Sequence, residues 1–173
     1  LISRMLYTDG LITLFSFGGI YATGTFDFNF NEIIIFGVVI NITAALGAYV
    51  FGFLEDKIGI KKVIIISLTF LILLCLLILF VKSKVYFWIF GSALGLFIGS
   101  IQSSSRTALI GLSNSNNINS LFGVYATSGK ITNFLGPFLV ATFTSIFSSQ
   151  KAGMATILIF LILGLLLFSK VKL

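Results

Sequence analysis

The chain has 173 residues, 58% hydrophobic and only 9% charged, with eleven basic against five acidic side chains, a net charge of +6 and a mean hydropathy of +1.15. A soluble domain carries about 25% charged residues; sixteen charges cannot coat a globule of this length, so a water-soluble domain is excluded. There is no histidine, and the one cysteine, Cys75, lies in a leucine-rich run. That excludes an intrachain disulfide and histidine proton relays, and neither a metal site nor a cofactor is expected. The basic residues sit in short loops between apolar runs, a pattern of membrane topology and not of a nucleic-acid face.

The chain starts at Leu1 and enters an apolar run almost at once, without the order of a cleaved signal peptide. It reads as a piece of a longer protein. Six stretches are long and apolar enough to cross a hydrocarbon core of roughly 30 Å. In chain order they run from Arg4 to Phe26, Glu32 to Leu54, Lys62 to Val81, Val85 to Ala108, Ser120 to Phe147 and Ala152 to Ser169. None alternates as a barrel strand would, and backbone groups in lipid must be satisfied within the segment, so the spans are helices. The fold class expected is an all-α integral membrane domain over residues 1–173.

The loops give an orientation. One side collects Arg4, Lys57, Lys61, Lys62, Arg106, Lys170 and Lys172; the other collects Lys82, Lys84 and Lys151. Seven bases against three place both termini in the cytoplasm, with Lys82 and Lys84 as the exception. Tyr86 and Trp88, opening the fourth span, fit an interfacial aromatic belt.

Within the spans, small residues mark where helices touch. The fourth carries Gly91, Gly95, Gly99, Gln102 and Arg106 on one face; the second carries Gly37, Asn41, Ala45, Ala48 and Gly52; the fifth carries Gly123, Thr127, Lys130, Phe134 and Pro137. The sequon Asn41-Ile42-Thr43 lies inside a span and is set aside. Pro137 withdraws a backbone donor and predicts a kink in the fifth span. Intramembrane charges are costly and mark pathways or pairs. Asp9 reads either as a charge solvated at the interface or paired with Arg4, or as a functional carboxylate. Lys130, near mid-membrane, reads either as a snorkelling lysine or as one facing a polar cavity.

The run Gly52-Phe53-Leu54-Glu55-Asp56-Lys57-Ile58-Gly59-Ile60-Lys61-Lys62 resembles the loop signature of the major facilitator superfamily, which joins the second and third helices of each six-helix half. Gly52 is expected to let two helices approach, Gly59 to permit a tight turn, Asp56 to cap a helix start, and Lys57, Lys61 and Lys62 to hold the loop in the cytoplasm. Ile60 stands where that signature often has a base. RMLYTDGL, GLFIGSIQSSSR and YATSGKITNFLGP are similar to the carboxy-terminal half of the vacuole-effluxer-like permeases, relatives of a fungal vacuolar amino-acid exporter with many bacterial cousins.

The resemblance implies spans seven to twelve of a twelve-helix secondary transporter in a bacterial cytoplasmic membrane. Its partners would be the lipid bilayer, a small solute and an amino-terminal six-helix half. On this reading Lys130, Asn133 and Asn41 serve the solute site, Asp9 serves ion coupling or gating, and Asp56 with Arg106 forms a cytoplasmic latch. A non-transporting membrane subunit or receptor is the alternative. A membrane enzyme is a weaker one, because the acids Asp9, Asp27, Glu32, Glu55 and Asp56 lie near membrane edges without a base, and Ser103, Ser104 and Ser105 have none either. No catalytic residue is expected.

Overall fold

A computed structural model describes residues 2–112 and 118–171; Lys172 and most of the Ser/Asn stretch after the fourth span lie outside them. The described residues form seven helices: α1 (Ile2–Phe26), α2 (Phe30–Ile58), α3 (Ile60–Phe80), α4 (Lys84–Gly111), α5 (Ile118–Thr132), α6 (Leu135–Phe147) and α7 (Gln150–Ser169). By length and composition α2, α3, α4 and α7 are each able to cross a membrane.

The predicted fifth span is two helices, not one bent helix. Asn133 and Phe134 form a turn between α5 and α6. Pro137 has no N–H for the carbonyl four residues back, at Asn133, and its ring crowds that carbonyl. The helix therefore restarts, with Pro137 in the first turn of α6 and Phe138 N donating to Phe134 O at 3.0 Å.

The core lies where α1, α3, α4 and α7 meet. Ile64, Leu68 and Leu71 of α3, spaced four and three apart, are fully buried, as are Tyr21, Ile101, Ile157 and Leu161. Cys75 is buried on the same face of α3. Hydroxyl hydrogen bonds tie the bundle together: Ser67 with Ser100 at 2.8 Å, Tyr7 with Ser105 at 2.8 Å, and Ser3 donating to the Gly164 carbonyl at 2.9 Å. Such bonds and close backbone approach, not apolar burial alone, hold helices together in lipid.

By contrast α2 is peripheral. Only Phe36, Gly47 and Glu55 of its 29 residues are buried, while Ile34, Ile35, Val38, Ile42, Leu46, Tyr49, Val50 and Phe53 are more than half exposed. An apolar surface that continuous has no place in water; it belongs in lipid or against another apolar body.

The α2–α4 pair carries the closest approach. A Cβ at Gly47 would run into the backbone of Leu96, and one at Gly99 into the backbone of Ala44, while Gly91 and Gly95 accept Phe36 and Thr43. The glycine face of the fourth span is thus a packing face. The stripe read on the second span is not: Gly37 and Gly52 have nothing near a Cβ, and Asn41 and Ala45 are exposed. The α4-facing side is Phe36, Ile40, Thr43, Ala44 and Gly47, and Gly52 lies about 140° round the helix from Gly47 at 100° per residue. The expectation that Gly52 admits a close helix is therefore not met within this chain.

At the α1–α2 end, Asn29 caps α2 in a reciprocal box with Glu32: Asn29 Oδ1 accepts from Glu32 N at 2.9 Å, and Asn29 N donates to Glu32 Oε2 at 2.8 Å. Glu32 also pairs with Lys84 at 2.6 Å. Lys84 sits over the Phe28 ring, beside a cluster of Phe26, Phe36, Phe87 and Trp88. Losing an N-cap costs about 1 kcal/mol. Asn29→Ala is accordingly expected to speed amide exchange at Glu32 about fivefold; unchanged exchange there would count against the cap.

Candidate functional site

Gly59 turns the chain between α2 and α3 with φ +89°, a conformation that favours glycine, and its N–H donates to Glu55 O at 2.9 Å. The expected tight turn is present. Lys61 of the same motif reaches Val171 O and so ties this loop to the end of α7; Lys57 and Lys62 are exposed. Asp56 lies two residues before the end of α2 and caps no helix start, since α3 begins after Gly59 without a side-chain cap.

The proposed Asp56–Arg106 contact is not made: both side chains are exposed and no ion pair joins them among the described residues. The α2–α4 link lies one residue earlier, where buried Glu55 accepts from Ser104 Oγ at 2.6 Å. Helical spacing offered a signal for this, because Glu55 is two turns beyond Gly47 on the side that faces α4.

Arg4 does not pair with Asp9. Its guanidinium turns to α5, donating to Tyr125 O and, at 3.0 Å, to Ser128 Oγ, with Cζ 3.1 Å from the centroid of the Tyr125 ring. Beside it a cavity of about 220 Å³ runs between α1, α4 and α5, lined by Arg4, Thr8, Gln102, Ser105, Arg106 and Tyr125 among others. Tyr125 was not singled out in the sequence, where it looks like one aromatic among many.

Asp9 is 1% exposed. It lies against the α5–α6 break: a Cβ at Gly136 would come 3.2 Å from Asp9 Oδ2 and would collide with Thr13 Oγ1, which itself donates to Asp9 O at 2.7 Å. The Gly136 N–H faces the carboxylate, yet neither carboxylate oxygen completes a hydrogen bond. Thr132 Oγ1 and Asn133 Oδ1, on the break, are buried and unpartnered as well. Asn133 thus lies in the turn that leads into the helix start against which Asp9 packs.

Lys130 is on the other side of α5. It is exposed and makes no hydrogen bond or ion pair among the described residues, and Gly123, Thr127 and Phe134 of the same stripe are exposed with it. The face that packs on α1 is Ser128, Gly129 and Gly136. Asn41 is exposed on α2 and donates to Gly37 O of its own helix at 2.8 Å. Lys130 and Asn41 are therefore not joined in one site, because α2 packs chiefly on α4 and α5 chiefly on α1. Among the described residues no three His, Cys, Asp or Glu side chains gather.

The chain is 22% identical over 169 residues to the uncharacterized MFS-type transporter YxiO of Bacillus subtilis (strain 168), an alignment that covers 98% of this chain and 39% of that protein. It thus spans about two-fifths of the length of this curated relative. Its residues 1–173 match the family described as Vacuole effluxer Atg22 like. On that whole-length match, this apolar helical membrane protein belongs to the Vacuole effluxer Atg22 like family.

Proposed function

We propose that the chain is one six-helix half of a twelve-helix secondary transporter, with α5 and α6 together forming one broken span. It would move a small solute by alternating access against an amino-terminal half, and neutral amino acids are the first class to test. The observation that carries this reading is Lys130. It lies about 18 Å along the fifth span from Ile118 at 1.5 Å per residue, and it is exposed without a partner. A lysine facing lipid at that depth costs about 2.5–3.5 kcal/mol, whereas one facing a wet cavity between two halves does not. The name of the Bacillus relative and the family match point the same way. The open stripes on α2 and α5, which carry Asn41 and Lys130, would look toward that cavity, and exposed Asp56 and Arg106 would meet partners in the amino-terminal half. The membrane would be a bacterial cytoplasmic one with both termini inside; Lys84, a base on the opposite side, is paired with Glu32. A panel of radiolabelled solutes offered to the full-length protein in liposomes tests the reading, and no flux of any solute would favour a non-transporting membrane subunit.

Asp9 is proposed to couple that movement to an ion. With an imposed ion gradient, Asp9→Asn is expected to lower steady-state accumulation at least about tenfold while exchange of solute across the membrane persists, since about 1.4 kcal/mol of lost coupling already gives a factor of ten. Full gradient-driven accumulation by the variant would remove Asp9 from the coupling.

A further inference from the structure

The α5–α6 break gathers buried polar oxygens that complete no hydrogen bond, with the Gly136 N–H turned toward the carboxylate of Asp9. Asp9 is 1% exposed with both carboxylate oxygens unpartnered, and Thr132 Oγ1 and Asn133 Oδ1 are buried and unpartnered too. Gly129 lies against Arg4 and Thr8, and Gly136 against Asp9 and Thr13, so the two spans run in the same direction here. Thr132 ends α5 and Asn133 opens the turn, so in sequence both lie between the glycine set against Arg4 and Thr8 and the one set against Asp9 and Thr13. Pro137 adds an acceptor on this turn, because it offers no N–H to the Asn133 carbonyl.

A buried carboxylate without a partner either takes up a proton or holds a cation, and the surroundings supply no counter-charge from the protein. Arg4 on the same helix is committed to Tyr125 and Ser128, Lys130 on α5 is exposed on another face, and α6 and the facing stretch of α7 around Phe160 and Leu161 carry no charge. The N-terminal end of α6 favours the carboxylate, and the C-terminal end of α5 presents carbonyls to the same point. Hard cations take oxygen ligands of this kind, and broken membrane helices hold ions in this way. A single carboxylate among neutral oxygens matches one positive charge.

We propose that Asp9, Thr132 and Asn133 form a site for one sodium-sized monovalent cation at the α5–α6 break. The proposal deepens the coupling role given to Asp9 and rests on that reading, but binding can be measured without transport. Sodium chloride, against equal choline chloride, is expected to raise the Tm of the full-length protein in proportion to the logarithm of concentration above the midpoint, with potassium less effective. Asp9→Asn is expected to abolish the response, and Asn133→Ala to raise the sodium midpoint at least about fivefold, the weakening expected when one ligand oxygen is lost. A Tm that ignores sodium and follows only pH would assign the carboxylate to a proton and overturn the site, as would an undiminished sodium response in Asp9→Asn. If Asp9→Asn does not fold, Thr132→Val and Asn133→Ala decide: unchanged sodium midpoints in both overturn it. Sodium binding without flux of any solute would keep the site and sink the transport reading; flux with no sodium response would do the reverse.

Discussion

Gly99→Val is expected to cost about 3 kcal/mol or more, the upper end of overpacking penalties, and to show as a large drop in Tm and in folded yield of the full-length protein. The side chain would have to occupy the space of the Ala44 backbone, which cannot swing aside as a side chain can. Gly47→Val is expected to do the same from the other helix, against Leu96. Both residues sit where the α2 and α4 backbones come closest; elsewhere α2 is held by side chains, Glu32 paired with Lys84, Phe36 set against Gly91 and Phe87, and Glu55 bonded to Ser104. Gly37→Ala is the contrast, since nothing lies within 4 Å of its Cβ; its effect on Tm is expected within about 0.5 kcal/mol, and an Ala also favours the helix. Equal losses at Gly37 and Gly99 would show that the α2–α4 crossing is not what positions α2.

The helices were legible because apolar runs of this length have few alternatives in lipid, and because the loop motif pins the α2–α3 turn at Gly59. The glycine face of α4 was legible from its steps of four and three. The contacting side of α2 was not. Spacing gives Gly37, Asn41, Ala45, Ala48 and Gly52 a clean stripe, but a peripheral helix packs by one side only and leaves the rest of its apolar surface open. The sequence alone does not say which side packs. The same ambiguity affected the fifth span, where the tidy stripe through Lys130 is the open one and the α1-facing side is Ser128, Gly129 and Gly136. Pro137 announced a disturbance, but spacing alone does not distinguish a bend from the stop and restart found at Asn133–Phe134.

Lys130→Ala is expected to leave the fold intact and to weaken solute transport by about 30-fold or more. The first half follows from contact: the ammonium touches nothing among the described residues, so its removal frees no buried partner and is expected to shift Tm by no more than an ordinary surface change. The second half follows from depth. On the proposed cavity reading the ammonium meets an anionic group of the bound solute, and truncating one member of a charge pair from which the solute excludes water costs about 2–5 kcal/mol, of which the lower bound already gives a factor of about 30. Lys130→Arg keeps the charge but moves its centre and changes its hydration, so it is expected to fall between the two. The pattern that supports the reading is a normal Tm with transport lost in Ala and partly kept in Arg. Transport unchanged in Lys130→Ala would mean that the ammonium snorkels or faces an inert seam, and the solute site would then have to be sought in the Arg4, Gln102 and Arg106 cavity instead.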